Sequence, residues 1–331
     1  MASGAVLINS SKKLIPMIKK LSTIHLLGIL AVLILVFLAL EYFGNQSRSS
    51  SFKETLVEID TLNASRMVIT KGTEDPFELN RSGDGWELTL TNNKNVRAMK
   101  SSVKSSMASL QSIKPARIVA NQEDRWAEYQ VDTAGTRVEI FEGETKSLDL
   151  LIGRFGVKGQ REFYTYVRLF EENEVYAADG FMGISFGSEP GSYRFKEILR
   201  FVKDSLDQFS FNYPGDSSFM MIRSEQKNWI IEGLESDSAS TQTFINGVRF
   251  LSGTEFVDDL IRSDLGDPSY SVLLRRRGSD DLRIEAFSDP THNWIINSNH
   301  NPDSWFADPD RILINKLFPG RAQLLGDLTS E

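Results

Sequence analysis

Three constellations in this 331-residue chain bring together residue types that do chemistry. Gly153, Gly156 and Gly159 stand three apart in Ile-Gly-Arg-Phe-Gly-Val-Lys-Gly, as glycines do where backbone N–H groups cradle a phosphate. The spacing is neither the dinucleotide-binding nor the P-loop pattern. The run reads instead as a hairpin loop between strands at 148–152 and 163–169. No Walker signature occurs, which excludes ATP hydrolysis by that route. His292, His300 and Asp303 carry the imidazole and carboxylate groups that ligate zinc or iron. With only three histidines in the chain, they read as solvated loop residues rather than a metal site. Arg275-Arg276-Arg277 precedes Gly278-Ser279-Asp280-Asp281, which places opposite charges across a hairpin turn and reads as a solvated face rather than an anion site. No Ser-His-Asp or paired-carboxylate set stands out. Trp86, Trp229, Trp294 and Trp305 fall in strand patterns, as core or interface anchors do. The expectation is a protein without catalytic, cofactor-binding or metal-ligating residues and without a cofactor.

Composition narrows the classes further. The absence of cysteine removes disulfides, zinc–thiolate sites, iron–sulfur clusters and a Cys nucleophile together. A formal charge of -8 argues against nucleic acid as a partner, because phosphate binding needs clustered Lys and Arg. Apolar residues at 40% and charged residues at 25% suit a globular chain that buries real cores.

The N-terminus holds the strongest pattern. Every residue from Leu26 to Leu40 is apolar or glycine, and the run extends through Ile24 and Tyr42-Phe43, interrupted by His25 and Glu41. Roughly 20 such residues cross a bilayer as a helix, since a helix satisfies its own backbone in hydrocarbon. We expect a transmembrane helix over 24–43, anchored by Leu26, Leu27, Gly28, Leu30, Ala31, Leu33, Leu35, Phe37 and Leu40. Gly28 and Ala31 are small enough to admit a neighbouring helix. Lys12, Lys13, Lys19 and Lys20 lie in the basic tail at 1–23 and set the topology: N-terminus cytoplasmic, the remainder periplasmic across a bacterial inner membrane. No clean small-x-small cleavage site follows the run, and without cysteine there is no lipoprotein. Residues 44–55 read as a stalk.

Beyond the stalk the chain repeats an order of elements. Strand-like runs at 66–70, 77–80 and 85–88 are broken by Gly/Asp turns. A helix follows, with Val96, Met99, Val103, Met107, Leu110 and Ile113 on one face and Pro115 as its stop. Strands at 138–141, 148–152, 163–169 and 174–177 complete the round. The second round offers strands at 219–222 and 228–231, a helix around Phe244, Ile245, Val248 and Leu251, then strands at 270–275, 282–287 and 293–296. Trp86 and Trp229 mark equivalent places, as do Val175–Asp179 and Trp305–Asp308. The expected fold is α+β: the membrane helix, then two tandem modules of mostly antiparallel sheet, each with a covering helix, over 56–192 and 209–331. Phe195, Ile198, Leu199, Val202 and Leu206 show helical spacing and predict a connecting helix over 193–208.

The order of basic tail, single helix, Gly-Trp-Glu-Leu strand, amphipathic helix, Leu-Leu-Ile-Gly hairpin, Tyr-Val-Arg strand and Val-Tyr-Ala-Ala-Asp strand, then a second round with Asn-Trp-Ile-Ile, resembles a bacterial family known only as a domain of unknown function, DUF4340. Members of that family are often encoded beside gliding-motility-type (Gld) ABC transporter components. The resemblance implies a non-enzymatic accessory subunit whose partners are the membrane, an ABC-type permease and ATPase, and a large extracytoplasmic subunit. The alternative is a free-standing envelope protein that captures a polymer, lipid or peptide between its modules, and an enzyme is a third reading. A partner subunit should show a continuous apolar patch, and a ligand binder an enclosed cleft with convergent polar groups.

Overall fold

The computed structural model describes residues 28–36, 52–158, 162–180, 182–186, 189–215 and 217–326. It divides into a unit at Met1–Glu54 and a compact unit at Thr55–Glu331. In the first, residues 28–36 form a helix (α1) whose side chains are all exposed. Gly28, Leu30, Ala31, Leu33 and Leu35 of the expected anchor lie on it. Leu26, Leu27, Phe37, Leu40 and the four topology lysines lie outside the described residues. Among the described residues no helix is long and apolar enough to cross a membrane.

The second unit opens with β1 (Ala64–Lys71), β2 (Phe77–Ser82), β3 (Gly85–Thr89), β4 (Asn95–Arg97) and helix α2 (Lys100–Gln111). β5 (Pro115–Ala120), a short helix α3 (Trp126–Tyr129), β6 (Thr136–Glu142), β7 (Thr145–Lys158), β8 (Glu162–Leu169), β9 (Val175–Asp179) and a one-turn helix α4 (Gly183–Phe186) follow. After the short strand β10 (Glu197–Arg200) the second round runs β11 (Leu206–Asn212), β12 (Phe219–Arg223), β13 (Trp229–Ile231), β14 (Leu234–Glu235) and helix α5 (Ser238–Val248). It closes with β15 (Phe250–Ser252), β16 (Tyr270–Arg276), β17 (Leu282–Asp289), β18 (Asn293–Ser298), β19 (Phe306–Ala307), α6 (Ile312–Leu317) and α7 (Arg321–Leu325).

The repeat is explicit in the topology. The first sheet has the order β4-β3-β2-β1-β6-β7-β8-β9-β5 and the second β14-β13-β12-β11-β16-β17-β18-β19. The two orders match strand for strand except at the last edge. There β5 pairs with β9, whereas β15 pairs with β10. The chain just beyond β15 restores the correspondence, because Phe256 bridges Phe306 of β19. Registers also correspond: Ile69 faces Phe77 and Val138 in the first sheet, and Phe211 faces Phe219 and Val272 in the second. Both sheets are antiparallel, and each buries one face under its helix.

Alternation explains the buried faces, since successive strand side chains point to opposite sides. Phe77, Leu79, Trp86 and Leu88 face a core closed by Val103, Met107 and Leu110 of α2. Phe219, Met221, Trp229 and Ile231 face the second core under Phe244, Ile245 and Val248 of α5. α5 starts at Asp237, whose carboxylate accepts the Ser240 N–H at 2.7 Å, an N-cap. Each sheet's opposite face carries a smaller cluster at its β7–β9 or β17–β19 end, around Tyr129, Val131 and Leu151 or around Val257, Phe287 and Trp305.

Several expectations need correction. Residues 193–208 are not a connecting helix: they comprise Tyr193 closing a 3₁₀ turn, a bridge from Arg194 to Ala98, β10, a 3₁₀ turn at Lys203–Ser205 and the start of β11. Leaving the 3₁₀ turn at this point lets consecutive side chains enter different modules, which one helical face cannot do. Tyr193 enters the first core, where its hydroxyl lies 2.9 Å from Ser106 Oγ, while Arg194 reaches Asp258 and Phe256 in the second module. The main chain follows suit, with Met99 N–H donating to Tyr193 O and Phe195 N–H to Arg97 O, and with Asn301 Nδ2 donating to Phe195 O. Val202, expected on a buried face, is 72% exposed.

Gly153 and Gly156 lie inside β7 rather than in a hairpin loop, and Gly159 lies outside the described residues. Gly153 sits at a register shift where a Cβ would meet Tyr129 O at 2.1 Å, and at Gly156 one would meet the Tyr166 hydroxyl at 2.8 Å. Both glycines mark close approach. Val96 belongs to β4, Met99 precedes α2, and Pro115 begins β5 instead of ending the helix. Leu251 likewise belongs to β15.

Candidate functional site

The two modules have the same fold, so equivalent positions can be compared within one chain. On the outer face of the first sheet, beside β1, stand Glu78, Asn80, Glu87 and Glu139, all half-buried among polar groups. Arg66 lies 3.8 Å from Glu78. Arg137 and Lys146 both pair with Glu139, at 3.3 and 2.9 Å, and with Asp149, at 2.7 and 2.6 Å. Burial raises the proton affinity of the Asp149 carboxyl, but hydrogen bonds from Arg137 and Lys146 together outweigh it and hold the carboxyl below its ordinary value.

The matched strand registers place Met220, Ile222, Ile230 and Leu273 at the equivalent positions of the second sheet. All four are apolar. Met220 is 51% and Ile222 45% exposed, and with Phe219 and Ile230 they line a shallow depression of about 400 Å³ at the β12–β13 edge. Elsewhere on the face the difference reverses: Val68 matches Ser210, and Leu151 matches Glu285, which lies 3.9 Å from Arg283. The patch around β2, β3 and Glu139 that is solvated through polar groups in the first module is thus apolar, and open at the β12–β13 edge, in its twin.

Two clefts lie where the modules meet. One, of about 850 Å³, is lined by Asp75, Glu78, Asn92, Arg194, Phe256, Asp258 and Asp259 among others. The other, of about 660 Å³, includes Trp86, Arg97, Phe195, Glu197 and Phe250. In the first, Arg194 is already committed: Nη1 lies 2.8 Å from both carboxylate oxygens of Asp258, and the guanidinium stacks 3.5 Å from the Phe256 ring centroid. Burial pushes the Arg194 pKa down, against the opposing effect of its hydrogen bond to the Asp258 carboxylate.

The residues singled out in the sequence for chemistry do not converge. His292 Nδ1 lies 2.8 Å from Asp289 Oδ2, while His300 packs on Phe195 with Nε2 3.4 Å from Glu197. No group of three or more His, Asp or Glu side chains that could hold a metal occurs among the described residues. Arg277 pairs with Asp207 at 2.9 Å, and Arg276 donates to the Asp280 carbonyl across the turn. Sequence reasoning missed the buried Arg168 and Arg194, which sit in an ordinary strand and in a misread linker. The signal that finds Arg168 is comparison of one module with the other, through its equivalent Asn297.

No curated protein and no solved structure matches the chain. A family model does, over residues 86–269, from β3 of the first module to the eve of β16 in the second. That is more than half of the chain, and the protein belongs to the family described as domain of unknown function (DUF4340).

Proposed function

We propose that the protein is a non-enzymatic, membrane-anchored periplasmic accessory subunit of an ABC-type, gliding-motility-like membrane complex. The helix expected over 24–43 holds it in the inner membrane, and the outer face of the second sheet docks on a partner subunit. The observation that carries the reading is the replacement of Glu78, Asn80, Glu87 and Glu139 by Met220, Ile222, Ile230 and Leu273 at equivalent positions of one fold. An apolar face has no value to an isolated domain in water, and contiguous exposed apolar surface marks interaction sites. The exposed apolar side chains of α1 support the anchor. Tethering raises the effective concentration of the sheet face for a partner in the same membrane.

The test transfers the first module's residues onto the second. The chain carrying Met220→Glu, Ile222→Asn, Ile230→Glu and Leu273→Glu should fold, because the first sheet folds with these residues at these places. Tagged wild type, purified in mild detergent, should recover a permease and an ATPase stoichiometrically, and the quadruple variant should lose them. If the wild type purifies alone the reading fails, and if the variant retains its partners the sheet face is not the contact.

A further inference from the structure

A buried cation is normally matched by an acid, because removing an ion from water is costly unless a counter-charge replaces the solvent. Arg168 on β8 has no such acid in direct contact. It is 3% exposed, and although Glu123, Asp132 and Asp149 act on it through space, no carboxylate is in contact with it among the described residues. Nε donates to the Val131 carbonyl at 3.1 Å, and Nη1 to the carbonyls of Leu169, Phe170 and Glu172 at 3.3, 2.7 and 2.9 Å. Nη2 has no hydrogen-bond partner among the described residues. The guanidinium stacks on Trp126, 3.5 Å from its ring centroid.

Arg168 lines a cavity of about 500 Å³ in the first module, within the range of small-molecule sites. Trp126, Leu151 and Phe170 supply apolar walls, and Thr133 stands exposed at its edge. Arg137 also lines it, stacked on Phe170 and neutralised by Asp149. Glu123 and Asp132 are there too, without an ion pair to Arg168. Arg168 is the one cation of the cavity without a contacting acid, and the two acids beside it, Glu123 and Asp132, disfavour a ligand with more than one negative charge.

The second module shows that the fold does not require this charge. Leu151 faces Arg168 and Ile152 faces Val167, as Glu285 faces Asn297 and Ala286 faces Ile296, so Asn297 is the equivalent residue. Asn297 performs the structural task without charge, its Nδ2 donating to the Pro302 and Ser304 carbonyls at 3.3 and 2.9 Å. A neutral amide suffices to satisfy the loop carbonyls before the last strand. The charge in the first module is therefore not a requirement of the fold.

We propose that this cavity binds a carboxylate carried on an apolar body, with the carboxylate on Arg168 Nη2 and the body against Trp126, Leu151 and Phe170. A charge-assisted bond to a guanidinium fork fixes the head, and the aromatic walls take the body. The experiment titrates the full-length chain in mild detergent with phenylacetate, followed by ligand-observed NMR, beside phenylacetamide, the same shape without charge, and inorganic phosphate. Saturable phenylacetate binding is expected, with phenylacetamide and phosphate at least ten-fold weaker. Arg168→Gln should weaken phenylacetate at least ten-fold. Thr133→Trp, which closes the cavity from an exposed position and leaves the guanidinium in place, should abolish binding with an unchanged melting temperature. It decides the matter if Arg168→Gln does not fold. Equal binding of the amide would reduce the site to an apolar pocket and overturn the proposal, as would tighter binding of phosphate or the absence of saturable binding. Loss of partners in the sheet-face variant leaves this result untouched, so the two readings fail separately.

Discussion

Replacing Asp258 by Asn tests whether the two modules are bolted together by a charge. The substitution keeps the side chain's shape and its acceptor oxygen but removes the negative charge. Arg194 then remains in place with a side chain 3% exposed and with an Nε that already lacks a partner. Stripping a buried cation of its counter-ion costs about 3–5 kcal/mol. Asp258 is itself 35% exposed, so water screens the loss, and we expect about 2–3 kcal/mol. In a unit of this size that lowers the melting temperature by about 3–5 °C. Differential scanning calorimetry of the full chain measures it, and the wild type should melt its two sheets in one transition. The sharper prediction is a sign. Arg194→Met together with Asp258→Asn removes the stranded charge and should be more stable than Asp258→Asn alone, since apolar replacement of a buried pair is near neutral. A single-variant cost below about 0.5 kcal/mol, or a double variant less stable than the single, would refute the account.

Other perturbations follow from close contacts and charge. At Gly253 a Cβ would stand 2.1 Å from the fully buried Phe306 ring, so Gly253→Ala should cost about 1–3 kcal/mol by overpacking, read from urea midpoints. At Gly153 the obstacle is the Tyr129 carbonyl, which cannot rotate away, and Gly153→Ala should cost at least as much as its Gly253 counterpart. Asp149→Asn should lose about 1 kcal/mol at neutral pH. Because the folded carboxyl titrates below its unfolded value, that contribution is full above the ordinary carboxylate range and disappears as pH falls through the folded pKa. Melting curves of wild type and Asp149→Asn should therefore converge in acid, and a gap that persists there would assign the cost to shape instead of charge.

The strand pattern was legible because each sheet has one buried and one solvated face. Phe77-Glu78-Leu79-Asn80 alternates as plainly as any strand, and Trp86 and Trp229 occupy matching places in β3 and β13. What misled was spacing without context. Ile198 and Leu199 are both fully buried, so the segment has apolar neighbours on two sides. Periodicity alone reads such a run as helix. The glycines of β7 looked like a loop because a bulge and a close carbonyl require the same residue as a turn. Arg168 and Arg194 carried no local signal at all, since the burial that gives each its meaning is made by residues far along the chain. The outer-face difference was present in the sequence at Glu78 and Met220, but it becomes visible only when register says that these two positions correspond.

The segment that joins the modules has a mechanical consequence. An ordinary linker is slack, and a pull on one domain first straightens chain before the other feels anything. Here the backbone of Tyr193 and Phe195 is hydrogen-bonded to β4 and its flank in the first module, while the Arg194 guanidinium, between them, is clamped in the second. There is no spare chain to pay out at that point, so a force applied to the second sheet arrives at the first without delay and as a shear on those bonds.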